Sequence, residues 1–136
     1  MIHDGMSNTA CYSEILGYPR PNQSRLIYTH RSDQLDCTDA ASIAVRCRTG
    51  NVGIAVWMVA RGSDWIHGMA QVNQYMHVVA PNERDCLFTP GAASEHRGGV
   101  HTAFCDGSVR FVSNSVNEVV WQAAGSRDGH DGPVQW

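Results

Sequence analysis

Long hydrophobic runs, clustered positive charge and catalytic signatures are all scarce in this chain, and each absence removes a class of function. The longest apolar stretch, Val52 to Ala60, is about nine residues, where a bilayer span needs roughly 20. The first residues do not show the basic-then-apolar pattern of an export signal. With a formal net charge of −3 and no run of Lys or Arg, the chain lacks the footprint that nucleic acid or an anionic membrane surface requires. Gly-x-Ser-x-Gly, a Walker loop, His-Glu-x-x-His and Gly-x-Gly-x-x-Gly are absent, and the acidic residues are scattered rather than paired. Cys105 and His101 lie on one strand, four positions apart, too far for a nucleophile and its base to share a hydrogen bond. The sequence therefore predicts no turnover chemistry. No Cys-x-x-Cys pair occurs either, which argues against a zinc ribbon or a thioredoxin-like motif.

What is present is enough for one domain over residues 1–136, with 43% hydrophobic residues to build its core. Five cysteines, at Cys11, Cys37, Cys47, Cys86 and Cys105, favour a secreted, oxidised protein. Cys37 and Cys47 bracket a short segment and can close a local loop, and Cys86 can meet Cys11 or Cys105 if their strands are neighbours. Five being odd, at least one thiol stays free or pairs between chains.

The strongest local signal is the stretch His96 to Ser113, two alternating segments joined by Asp106-Gly107. A two-residue turn there needs positive φ at both positions and sets a register in which Phe104 faces Val109, Thr102 faces Phe111 and Val100 faces Ser113. On that register Phe104 and Phe111 share one apolar face, and the sheet is read as a scaffold. Thr9 to Leu16 reads as a strand with one face buried or, by pattern alone, as a short helix; Arg25 to His30, Val52 to Arg61 and Gln71 to Val79 read as further strands, and Ala80 to Glu95 as a long loop. Thr38 is a candidate N-cap for a helix over Ala40 to Val45. Ser115-Val116-Asn117-Glu118 has the form of a capping box, with Val116, Val119, Val120 and Ala123 on one face of a helix ending at Gly125. The predicted fold class is α+β with strands dominant. An antiparallel sheet is built from the segments near Thr9, Val52, Gln71 and the hairpin, and a short carboxy-terminal helix packs on it.

The seven histidines prompt a search for metal ligands. The richest local set is His96, His101 and Asp106, but most of a hairpin arm at about 3.3 Å per residue separates His101 from Asp106. No metal site is assigned, and no cofactor. Calcium candidates are Asp128 and Asp131 in the Asp-Gly-His-Asp-Gly tail, which lacks the closing Glu of a calcium loop; Asp4 to Asn8 and Asp85 are further oxygen donors. Trp57, Trp65, Trp121 and Trp136 fit core or interface positions, and Trp136 in a polar tail is a candidate element for assembly.

His96, nine residues, and then Asp106-Gly107-Ser108-Val109-Arg110-Phe111 resembles the carboxy-terminal signature of planctomycete-type prepilin-like proteins, a domain-of-unknown-function family akin to type II secretion pseudopilins. Asp4-Gly5-Met6-Ser7-Asn8-Thr9 leading into Glu14, Trp65-x-x-Gly68, Pro81-Asn82 before Cys86, and Val120-Trp121 before Gly125 agree in order. Full-length members of that family carry an amino-terminal cleavage motif and a long hydrophobic helix ahead of a β-rich globular region, so the resemblance covers the globular part only. It implies secretion to the cell surface or beyond, with a copy of the chain itself as partner in a filament or homo-oligomer. The His of the motif falls on His96, whose expected role is to fix the approach to the hairpin by bonding a loop carbonyl or the Asp106 carboxylate. The expected function is a non-enzymatic, fibre-forming subunit. The alternative is a secreted module that presents loop Trp and Asp residues to a glycan or protein.

Overall fold

Val100, Thr102 and Phe104 alternate with His101 and Ala103, and they fold as that pattern dictates, into a strand closed on one side and open on the other. The computed structural model describes residues 1–17, 28–29, 40–49, 51–52, 62, 66–68, 72–83 and 89–130. They form β1 (Ala10–Ser13), β2 (Tyr28–Thr29), α1 (Ala40–Thr49), β3 (Asn51–Val52), β4 (Gly99–Phe104), β5 (Val109–Ser113) and α2 (Glu118–Ala124). β4 lies between β1 and β5 in a three-stranded antiparallel sheet, while β2 and β3 pair separately. The fold is α+β with strands dominating, as the sequence predicts, and its helices are short: ten residues in α1 and seven in α2.

The hairpin register differs by one residue from the expected one. Phe104 N–H donates to Ser108 O at 2.9 Å and Gly107 N–H to Phe104 O at 2.9 Å, so the loop holds three residues, not two. Gly107 has φ +84°, whereas Asp106 is not among the residues with positive φ. This is a tight turn closed by one left-handed glycine. Asp106 Oδ1 braces it, accepting Ser108 N–H at 2.9 Å and the Ser108 hydroxyl at 2.6 Å. The extra residue turns all of β5 over: His101 now faces Phe111, Val100 faces Val112 and Ala103 faces Val109. Phe104 is buried and Phe111 is half exposed on the opposite face, so the shared aromatic face expected from the sequence does not exist. The Arg110 guanidinium covers the Phe104 ring from the β5 side, 4.5 Å from its centroid.

Further expectations are corrected. Of the strand expected over Val52 to Arg61, Val52 pairs with Tyr28 in the two-stranded sheet, and residues 53–61 lie outside the described residues. Residues 72–79, the described part of the strand expected from Gln71, run through turns and bends. Val78 and Val79 are both buried there in one cluster with Ile43, Ala44 and Cys47 of α1, where a strand would send them to opposite faces. In α2 the cap is Asn117, whose Oδ1 accepts Val119 N–H at 2.9 Å, while Ser115 bonds Ser113 instead. The buried residues of the helix are then Trp121 and Ala124, and Val119 is exposed. α1 runs past its expected end to Thr49 because no breaker precedes Gly50, and Arg46 and Arg48 suit the negative end of its dipole.

Two apolar clusters form the described core. One gathers Ile43, Ala44, Cys47, Val78 and Val79; the other gathers Ala92, Val100, Val112 and Trp121 under the sheet. His77 stacks on Trp121 at 3.8 Å between ring centroids, bonds its main-chain oxygen through Nδ1 at 2.7 Å and meets the Tyr75 hydroxyl through Nε2 at 3.1 Å. Arg48 links the two clusters at the surface. It bonds Glu83 through Nε at 2.7 Å and Nη2 at 2.9 Å, and Glu118 at the start of α2 through Nη2 at 2.5 Å.

Burial drives the His77 imidazole down to about 4 from an ordinary 6.5, against the pull of the Trp121 carbonyl, so the folded chain holds it neutral. The unfolded chain takes up that proton near pH 6.5. The stability tied to neutral His77 is therefore complete above pH 6.5 and is lost as pH falls toward about 4. Thermal melts across that window should show a loss on the order of 3 kcal/mol, and His77→Leu should flatten the slope. Gly107→Ala places a side chain in the left-handed region and should cost about 1–2 kcal/mol in denaturant unfolding.

Candidate functional site

Glu14 leaves β1 with its backbone held on both sides: its N–H donates to His101 O at 3.3 Å and its carbonyl accepts Ala93 N–H at 2.8 Å. That placement points the carboxylate across the end of β4. Oε2 accepts the His101 backbone N–H at 2.7 Å and lies 3.6 Å from His101 Nδ1, while Oε1 meets His96 Nε2 at 3.1 Å. The two imidazoles stand edge to face with centroids 4.9 Å apart, and His101 is edge-on to Phe111 at 5.2 Å. Partial burial pulls the Glu14 carboxyl upward, but the His101 backbone N–H and the two rings outweigh it and hold the group below the usual carboxylate range. One ligand atom from each of Glu14, His96 and His101 falls within 4.8 Å of the others. A cavity of about 430 Å³ lies alongside, lined in part by Glu14, Ser94 and His96.

His96 reaches this point through a chain of braces. Ser94 Oγ accepts the His96 backbone N–H at 3.1 Å and donates to Gly99 O at 2.8 Å. Asn82 supports the same bend: its Oδ1 accepts Ser94 N–H at 2.7 Å, and its amide donates to Gly99 O at 3.1 Å and Asn114 Oδ1 at 2.9 Å. Asn82 thus braces the start of β4. Close packing matters at Gly99 as well, where a Cβ would sit 2.1 Å from Val112 O and 2.9 Å from the Phe111 ring.

The amino-terminal motif closes the other end of the hairpin. Asn8 folds back on Asp4 and Gly5, its amide donating to Asp4 O at 2.9 Å and its N–H to Gly5 O at 3.0 Å. The turn then receives the hairpin tip: Cys105 N–H donates to Thr9 O at 2.9 Å and Asp106 N–H to Met6 O at 3.2 Å. Ser7 is exposed beside them. Asp4 ties in the chain beyond α2, its two carboxylate oxygens accepting Gly129 N–H at 2.8 Å and His130 N–H at 2.9 Å. Asp128 faces the His3 and His130 rings at 3.8 and 3.7 Å.

The partner of His96 is the Glu14 carboxylate and neither of the two expected, a loop carbonyl or Asp106, the latter being occupied in bracing its own turn. Cys11 and Cys105 are free thiols, not the disulfide partners of Cys86 considered above. They are neighbours across β1 and β4: burial, the Cys11 thiol and the Asp106 carboxylate push Cys105 above its ordinary value. Cys47 is disulfide-bonded. Cys37, Cys86, Trp57, Trp65, Asp85, Asp131 and Trp136 lie outside the described residues. Sequence reasoning missed Glu14 as the partner of the histidines, since 82 residues separate it from His96. The available signal was its position after the Asp4 to Thr9 motif, at the end of a strand able to pair with the hairpin.

A family model described as a protein of unknown function, DUF1559, matches residues 1–118. No curated protein and no solved structure matches the chain.

Glu14→Ala removes the acceptor shared by the His101 amide and the His96 ring. Its expected cost is about 1–3 kcal/mol. Hydrogen exchange at the His101 amide should accelerate with it, and an unchanged exchange rate would contradict the bracing role.

Proposed function

We propose a structural role for this chain, which belongs to the DUF1559 family: a non-enzymatic, pilin-like subunit that acts outside the cell by associating with copies of itself. One observation carries the reading. Described residues of the family-like motifs build and brace a single hairpin: Asp4 and Asn8 at its tip, Asn82 at its root, Asp106 and Gly107 in its turn, and His96 with Glu14 at its flank. A motif set used in this way holds a surface in shape. Among the described residues, the outer side of the sheet carries Tyr12, Val109 and Phe111 at 75%, 63% and 50% exposure. Among the described residues β5 has a single strand neighbour, β4, and so forms one side of the sheet.

The occupant proposed for this face is a second copy of the chain. The register places Tyr12 and Val109 on either side of Ala103, so the apolar side chains extend across all three strands. Secretion is supported by the disulfide at Cys47, a bond that persists in oxidising compartments. Family members of this type are commonly prepilin-like, which favours a filament or surface layer as the assembled form.

Sedimentation and negative-stain electron microscopy of the purified chain over rising concentration should show ordered oligomers or filaments. The double substitution Tyr12→Glu and Val109→Glu, both at exposed positions, should return the material to monomers without changing its melting temperature. A chain that stays monomeric at every concentration and retains a polysaccharide column overturns the proposal in favour of a secreted binding module.

A further inference from the structure

We propose that Glu14, His96 and His101 form a binding site for a divalent transition-metal ion of the zinc class. Two imidazole nitrogens and one carboxylate oxygen suit zinc and its late first-row neighbours, whereas calcium and magnesium take oxygen sets. The distances fit as well. A tetrahedral ion with bonds of about 2.0–2.2 Å holds its ligand atoms about 3.3–3.6 Å apart. Here His96 Nε2 is 3.1 Å from Glu14 Oε1, His101 Nδ1 is 3.6 Å from Glu14 Oε2, and the three ligand atoms lie within 4.8 Å of one another.

The supporting contacts are of the kind that orient metal ligands. Glu14 Oε2 is fixed by the His101 backbone N–H at 2.7 Å, leaving lone pairs on both oxygens for an ion. The His101 ring is held edge-on between Phe111 and His96. The three ligands come from the end of β1, the approach to β4 and β4 itself, so the sheet holds two of the three in place. Side-chain exposure of 54% for His96, 47% for His101 and 33% for Glu14 leaves the site open to solvent. A fourth position remains for water or an incoming donor atom. This inference stands apart from the assembly proposal, since an ion can bind a monomer.

The test titrates cobalt(II), then zinc(II), into the chelator-treated full chain, following visible absorption of cobalt and the heat of zinc binding. Saturable binding of one ion per chain is expected, with zinc displacing cobalt and calcium failing to do so. His96→Gln keeps an amide that can bond Glu14 but supplies no imidazole. His101→Ala removes another ligand. Each should weaken zinc binding at least as strongly as loss of an outer partner, roughly 10–100-fold, with circular dichroism confirming the fold. His130→Ala, beside Asp128 at the other end of the hairpin, should leave the affinity unchanged. Absence of saturable cobalt binding overturns the proposal. So does zinc affinity that survives both His96→Gln and His101→Ala, which would leave the cluster as a hydrogen-bonded clasp alone.

Discussion

A single left-handed residue, Gly107, closes the reversal between β4 and β5, and the position of every β5 side chain depends on how many residues that reversal contains. With three in the loop, Val112 enters the core beside Val100 and Trp121, and Phe111 faces outward opposite His101. A loop of two would exchange those sides, because a strand has only two. The Asp106 carboxylate braces the longer reversal by bonding both the amide and the hydroxyl of Ser108. From this follow the apolar outer surface and the aromatic edge against which His101 is set.

The remaining motif residues hold that hairpin in place from several directions. Asp4 and Asn8 shape the turn that receives its tip, Asn82 and Ser94 support its root, and Glu14 crosses from β1 to its flank. Most of these contacts join a side chain to the backbone. Such bonds position loops that regular ladders do not reach and satisfy backbone groups there. Beneath the sheet, neutral His77 fills the space against Trp121 and ties the turn at residue 77 to α2. The Arg48 guanidinium performs a similar linkage at the surface, where its fork matches the Glu83 carboxylate.

Glu14 differs from the other braces because the groups it gathers have further chemistry. A carboxylate between a serine and an amide would only hold a loop, but between two exposed imidazoles it makes a ligand set. The same residue thus serves the bracing of β4 and the proposed ion site, and the outer face that carries Tyr12, Val109 and Phe111 begins next to it.

Local chemistry made several features legible in the sequence alone: β1, the hairpin and its Asp-Gly reversal, a helix beginning at Ala40, the end of α2 at Gly125, and the α+β class. Alternation and breakers act over a few residues and leave their mark on neighbouring positions. The three-residue loop, the buried side of α2, the loss of the strand expected from Gln71 and the meeting of Glu14 with His96 were decided only by tertiary structure. Each depends on a contact between residues far apart in the chain. An Asp-Gly pair is compatible with either loop length until the core accepts Val112 and excludes Phe111, and a carboxylate has no identifiable partner until two strands bring it to one.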